Sequence, residues 1–132
     1  MRENAKILIV DDDVDFVETT KTVLESKPYE VVVAYEGEAG LKKAREETPD
    51  LILLDVLMPV KDGFTAAEQL KKDEQLSSIP VIMLTAFSSK GQESSIPVSR
   101  GYTLEAEDYI EKPVTPEELL TVVEKHLKRA GL

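Results

Sequence analysis

The chain has 132 residues, 42% of them hydrophobic, enough for one domain with a real core, and its zero cysteines exclude a disulfide framework and any thiolate metal site. Its 16 basic and 26 acidic side chains give a formal charge of −10, which argues against direct contact with nucleic acid or an anionic membrane. The lone His126 builds no histidine cluster, so a metal here would be held by oxygen; with neither a secretory signal nor a bilayer-length apolar stretch legible, a cytoplasmic location is expected.

Strand-like apolar runs alternate with segments of helical period. Ile7-Leu8-Ile9-Val10 reads as the first strand and ends in Asp11-Asp12-Asp13; Phe16, Val17, Thr20, Val23 and Leu24 then recur at helical spacing, with Pro28 beyond as a stop. Asp13 and Asp15 read as the cap and first-turn acids of that helix, with metal ligation as the alternative. Val31-Val32-Val33-Ala34 is a second, shorter strand. Leu41 and Ala44 mark a helix ended by Pro49, with Lys42-Lys43 and Glu46-Glu47 as a solvated face of local ion pairs. Leu51-Ile52-Leu53-Leu54 is the third strand, ending in Asp55, and a helix seamed by Phe64, Ala67 and Leu70 follows a loop.

Val81-Ile82-Met83-Leu84 is the fourth strand and Tyr109-Ile110 a candidate fifth. The last helix opens with Thr115-Pro116-Glu117-Glu118, a capping box with proline at the first helical position, and Leu119, Leu120, Val123 and Leu127 form its buried face. His126, near the end of this helix, reads as a cation suited to the helix dipole.

Parallel neighbours need long crossovers that pack on the sheet, so this alternation predicts a doubly wound α/β fold, one domain over residues 1–132. Ligands in such folds bind beyond the carboxyl ends of the strands. Asp11 and Asp12, Asp55, Thr85 and Lys112 stand at four of those ends.

Three converging carboxylates repel one another unless a cation sits among them, and a hard divalent ion such as Mg²⁺ (or Mn²⁺) prefers oxygen ligands. Asp11, Asp12 and Asp55 suit that role. A carboxylate can also attack phosphorus to form an acyl phosphate, a reaction that needs mainly positioning and charge neutralisation. The Lys112 ammonium and the Thr85 hydroxyl would serve the phosphoryl oxygens.

The sequence resembles the receiver domains of two-component response regulators over essentially its full length. The resemblance rests on Ile9-Val10-Asp11-Asp12-Asp13, Leu54-Asp55-Val56-Leu57-Met58-Pro59, Asp62-Gly63, Leu84-Thr85-Ala86 and Asp108-Tyr109-Ile110-Glu111-Lys112-Pro113, in that order and spacing. It implies a flavodoxin-like sheet of order 2-1-3-4-5. Asp55 would be the phosphoacceptor, Asp11 and Asp12 the acidic pair that places Mg²⁺, and the Leu57 carbonyl its backbone ligand. Thr85 and Tyr109 would be the switch residues, and Lys112 the partner of the phosphoryl group. The phosphodonor would be a histidine kinase or a histidine phosphotransfer protein, and the output would pass to a downstream protein. The resemblance also implies a cis Lys112-Pro113 peptide.

Two departures stand out. Thr85 and Lys112 are 112 − 85 = 27 residues apart, several more than receivers usually have. Where the family carries an amphipathic fourth helix, Ser88 to Tyr102 contains two glycines, a proline and five serines, which oppose a long helix and predict an irregular element. The resemblance also implies that the residues two beyond the phosphoacceptor and two beyond the switch threonine flank the path of attacking water; here they are Leu57 and Phe87, whose side chains can neither hydrogen-bond nor orient it, so a long-lived phosphorylated form is expected. Two other readings use the same residues: a Mg²⁺-dependent phosphatase with Asp55 as turnover nucleophile, and a receiver that serves only as a scaffold. A switch that catalyses only its own phosphorylation and dephosphorylation is the expectation.

Overall fold

Strands and helices alternate over residues 6–85, and a further strand and helix follow, in a computed structural model that describes residues 4–55, 63–85, 108–112, 114–129 and 131. The elements are β1 (Lys6–Val10), α1 (Val14–Glu25), β2 (Glu30–Ala34), α2 (Gly37–Glu47), β3 (Leu51–Asp55), α3 (Gly63–Lys72), β4 (Val81–Thr85), β5 (Asp108–Glu111) and α4 (Pro116–Arg129). All strand pairs are parallel and the order is β2-β1-β3-β4-β5, the predicted doubly wound arrangement. β2 is as long as β1, because Glu30 pairs with Lys6 at its start. The irregular segment expected over Ser88 to Tyr102 lies outside the described residues, as do Leu57, Phe87 and Pro113.

The strands read as unbroken apolar runs because helices cover both faces of the sheet. Side chains alternate across a strand. Leu8, Val10, Ile52, Leu54, Val81 and Met83 therefore face one way and pack with Leu41 and Ala44 of α2 and Ala66, Ala67 and Leu70 of α3. Ile7, Ile9, Leu51, Leu53, Ile82, Leu84 and Ile110 face the other way, against Val17 and Leu24 of α1 and Leu119, Val123 and Leu127 of α4. Each large apolar side chain so buried contributes about 1.5–3 kcal/mol. Helix α2 lies close to the sheet: a Cβ on Gly40 would stand 2.8 Å from both methyls of Val10.

Local chemistry sets the helix ends. Asp13 caps α1, its carboxylate accepting from the Phe16 N–H at 3.1 Å, and Asp15 lies in the first turn. Glu36 caps α2, and Thr48 closes it in the left-handed region at φ 40°. In α4 the Glu118 N–H donates to Thr115 Oγ1 and the Thr115 N–H to Glu118 Oε1, both at 3.1 Å, which is the predicted reciprocal box.

One surface expectation is corrected. Glu47 is not confined to local pairs on α2, because its Oε1 accepts from Lys6 Nζ of β1 at 2.8 Å. His126 lies in the last turn of α4, as expected, but is packed inside rather than set on the surface. It is 3% exposed, and its Nε2 lies 2.9 Å from Asp108 Oδ2, joining α4 to the first residue of β5. Leu120, assigned to the buried face, is only half-buried.

Candidate functional site

The alternation that builds the core also gathers the polar residues. Ile9, Leu53 and Ile110 belong to the face covered by α1 and α4. Asp11, Asp55 and Lys112 each stand two residues further along the same rows, Asp55 as the last rung of β3 and the other two just beyond their strands. Asp55 is the last residue of β3, and Asp11 follows the Val10–Leu54 rung of the β1–β3 ladder. β1 and β3 flank the point where strand order reverses, where doubly wound folds bind their ligands.

Asp11, Asp12 and Asp55 each bring a carboxylate oxygen within 4.8 Å of the others. Asp11 is fully buried and Asp55 is 6% exposed, whereas Asp12 faces solvent. Lys112 Nζ lies 2.7 Å from Asp11 Oδ2 and 3.7 Å from Asp55 Oδ1. The other Asp11 oxygen accepts from the Asp13 N–H at 2.9 Å, and the Asp11 N–H donates to the Ala34 carbonyl at 3.1 Å. Asp13 is thus the cap that its position before the helix predicts, and its N–H also links it to Asp11.

The remaining predicted residues are placed as follows. Thr85 ends β4, opposite Glu111 of β5 and one rung beyond the Leu84–Ile110 pair. Tyr109 is the second residue of β5; it is half-buried against the α2–α3 side of the core, and its hydroxyl oxygen is buried. The sheet therefore turns Tyr109 to the opposite face from Ile110. Leu57, the expected backbone ligand, lies outside the described residues.

One contact was not legible beforehand. The Lys112 ammonium stands 4.3 Å from the centre of the Phe16 ring on α1. The helical period of α1 placed Phe16 on an inward stripe, but no local signal names Lys112 as its neighbour.

Three carboxylates and one ammonium leave the cluster with a formal charge of −2. Lys112 neutralises only part of the repulsion, and among the described residues the three carboxylates offer the centre hard oxygen ligands. That donor set fits a divalent ion of the Mg²⁺ type, which takes one or two carboxylates and retains several waters.

Known proteins resemble this chain in sequence and fold. The response regulator receiver domain family model matches residues 7–124. The alkaline phosphatase synthesis transcriptional regulatory protein PhoP of Bacillus subtilis is 39% identical over 98% of this chain and 51% of its own length, so the chain spans about half of that relative. A response regulator structure from Chloroflexus aurantiacus superposes with a TM-score of 0.84 at 34% identity, covering 96% of this chain and 99% of the other. The receiver domain of sensor histidine kinase PA1611 from Pseudomonas aeruginosa has a TM-score of 0.82 at 26% identity, over 95% of this chain and 98% of that one, and has a magnesium ion coordinated in its active-site cleft. The chain belongs to the response regulator receiver domain family, the phosphoacceptor switches of two-component signalling.

Proposed function

We propose that residues 1–132 act as a single receiver domain in which Asp55 takes a phosphoryl group from the phosphohistidine of a histidine kinase or histidine phosphotransfer protein. The observation that carries this reading is the placement of Asp55: a nearly buried carboxylate at a strand end, with two further carboxylates within 4.8 Å and an ammonium at 3.7 Å. In the transfer, an Asp55 oxygen attacks phosphorus, the P–O bond forms as the P–N bond breaks, and the electron pair leaves with the imidazole nitrogen.

Asp11, Asp12 and Asp55 would hold Mg²⁺ or Mn²⁺, with the Leu57 carbonyl as a further ligand. Such an ion, when bound, neutralises charge on the phosphoryl oxygens. Lys112, already between Asp11 and Asp55, supplies the protein's own cation to the same oxygens, and Thr85 supplies a hydroxyl donor. Movement of Lys112 from Asp11 towards the new phosphoryl group, with Thr85 and Tyr109, would shift the equilibrium between two conformers and change how a downstream protein binds.

Incubation with acetyl phosphate and Mg²⁺, followed by intact-mass measurement, tests the reading. One phosphoryl adduct is expected, lost in Asp55→Asn and in excess EDTA. An adduct that persists under either condition would overturn it. Steady release of phosphate from a small phosphomonoester would instead make Asp55 a turnover nucleophile.

A further inference from the structure

We infer that Phe16 is a positioning residue for Lys112, holding its ammonium between Asp11 and Asp55 through the face of its ring. The inference rests on the phosphoacceptor reading of Asp55 and extends it to a residue of α1.

Four interactions close a circuit around the ammonium. Lys112 Nζ donates to Asp11 Oδ2 at 2.7 Å; Asp11 Oδ1 accepts from the Asp13 N–H at 2.9 Å; Asp13 Oδ1 accepts from the Phe16 N–H at 3.1 Å; and the Phe16 ring returns to Lys112 Nζ at 4.3 Å. The capping contact that starts α1 therefore also places the Phe16 backbone relative to the carboxylate that holds the lysine. Phe16 is half-buried against the core on the α1–α4 side, so the ring has a packed base from which to act.

The chemistry of the contact suits the reaction. A lysine stem is flexible, and its ammonium is a compact charge that water would readily draw outward. The negative face of an aromatic ring attracts that charge without accepting a conventional hydrogen bond. A carboxylate in the same place would occupy a donor and add negative charge beside an incoming phosphoryl group. Phe16 restrains the ammonium and leaves its hydrogens for Asp11, Asp55 and the phosphoryl oxygens. With the Lys112 side chain only 16% exposed, little water competes with the ring.

A packing role and a positioning role are separable because fluorine weakens the ring face while barely changing its shape. Phenylalanine carrying none, one, two or three fluorines can be placed at position 16 of the full chain by nonsense suppression. The phosphorylation rate with acetyl phosphate at saturating Mg²⁺ is then followed by intact mass, with thermal unfolding as the control. The rate should fall stepwise with fluorine number, by about threefold to tenfold across the series, at an unchanged unfolding midpoint. Phe16→Leu should be as slow as the most fluorinated chain, and Phe16→Trp should recover the parental rate. A flat rate across the series in a chain that does acquire its phosphoryl group would overturn the role of Phe16 alone. If the unsubstituted chain acquires none, the reading of Asp55 falls and the role of Phe16 with it.

Discussion

Lys112 donates to Asp11 at 2.7 Å across 101 residues of sequence, one ångström nearer than it stands to Asp55. The buried acid of the β1 end therefore has the lysine as its principal partner, and the phosphoacceptor candidate shares it. Lys112→Met would leave the fully buried Asp11 carboxylate without its cation. Without divalent ions this should cost about 3 kcal/mol, the usual penalty for removing one partner of a buried pair. Saturating Mg²⁺ should stabilise the variant more than the parent, since carboxylates no longer screened by an ammonium bind the ion more tightly and a ligand of the folded state stabilises it by mass action. Urea unfolding with and without Mg²⁺ measures both increments, and equal increments would count against the assignment.

Adjacent acids after β1 should separate by role. Asp12 is exposed and faces the carboxylate cluster, whereas the Asp13 carboxylate accepts from the Phe16 N–H. Asp12→Asn is expected to weaken Mg²⁺ binding about tenfold, near 1.4 kcal/mol, with little change in stability. Asp13→Ala should lower stability by about 1 kcal/mol through loss of the cap and leave Mg²⁺ affinity within about twofold. Titration calorimetry and urea unfolding on the two variants would show the opposite pattern if Asp13 were a ligand.

Acid sensitivity should originate partly at Asp108. Burial alone would raise its pKa, but the hydrogen bonds from His126 and the Tyr109 N–H and the nearby Lys125 charge outweigh burial and lower it below 3.8. A carboxyl group whose folded pKa is depressed stabilises the fold above its unfolded pKa, and the contribution disappears as pH falls through the folded value. Asp108→Asn should therefore cost about 1 kcal/mol at pH 7, a figure reduced for the partial exposure of the side chain. The difference from the parent should vanish in the acid range below 3.8. Urea unfolding at pH 7 and in that acid range checks this, and a penalty that persists in acid would remove the linkage.

Phosphoryl lifetime offers a test that rests on the family resemblance. The positions two beyond the phosphoacceptor and the switch threonine, which by that resemblance flank the path of attacking water, hold Leu57 and Phe87, whose apolar side chains offer water no hydrogen bond. Leu57→Asn and Phe87→Glu should each accelerate hydrolysis, by about tenfold if a positioned polar group replaces an apolar one. Decay of the adduct followed by intact mass decides it, and an unchanged or slower rate in both variants would defeat the expectation.

The sequence by itself determined whatever depends on near neighbours. Unbroken apolar runs such as Leu51 to Leu54 announced strands covered on both faces, and Thr115 with Glu118 announced a capped helix, because side-chain period and capping are local properties. Asp11, Asp12, Asp55 and Lys112 were legible as strand-end residues, and strand alternation was enough to send them to one end of one sheet. Tertiary structure decided what depends on facing surfaces. His126 lies on the stripe of Leu119, Val123 and Leu127, so its spacing hinted at burial, but only the packing of α4 against β5 brought Asp108 to within 2.9 Å of it. Glu47 found Lys6 across 41 residues, and the Phe16 ring found the Lys112 ammonium, because strand order and helix rotation fix those distances and neither is written in a local pattern. The preference of Lys112 for Asp11 over Asp55 is of the same kind: an ammonium among several carboxylates settles by ångström-scale geometry that residue type and spacing do not specify.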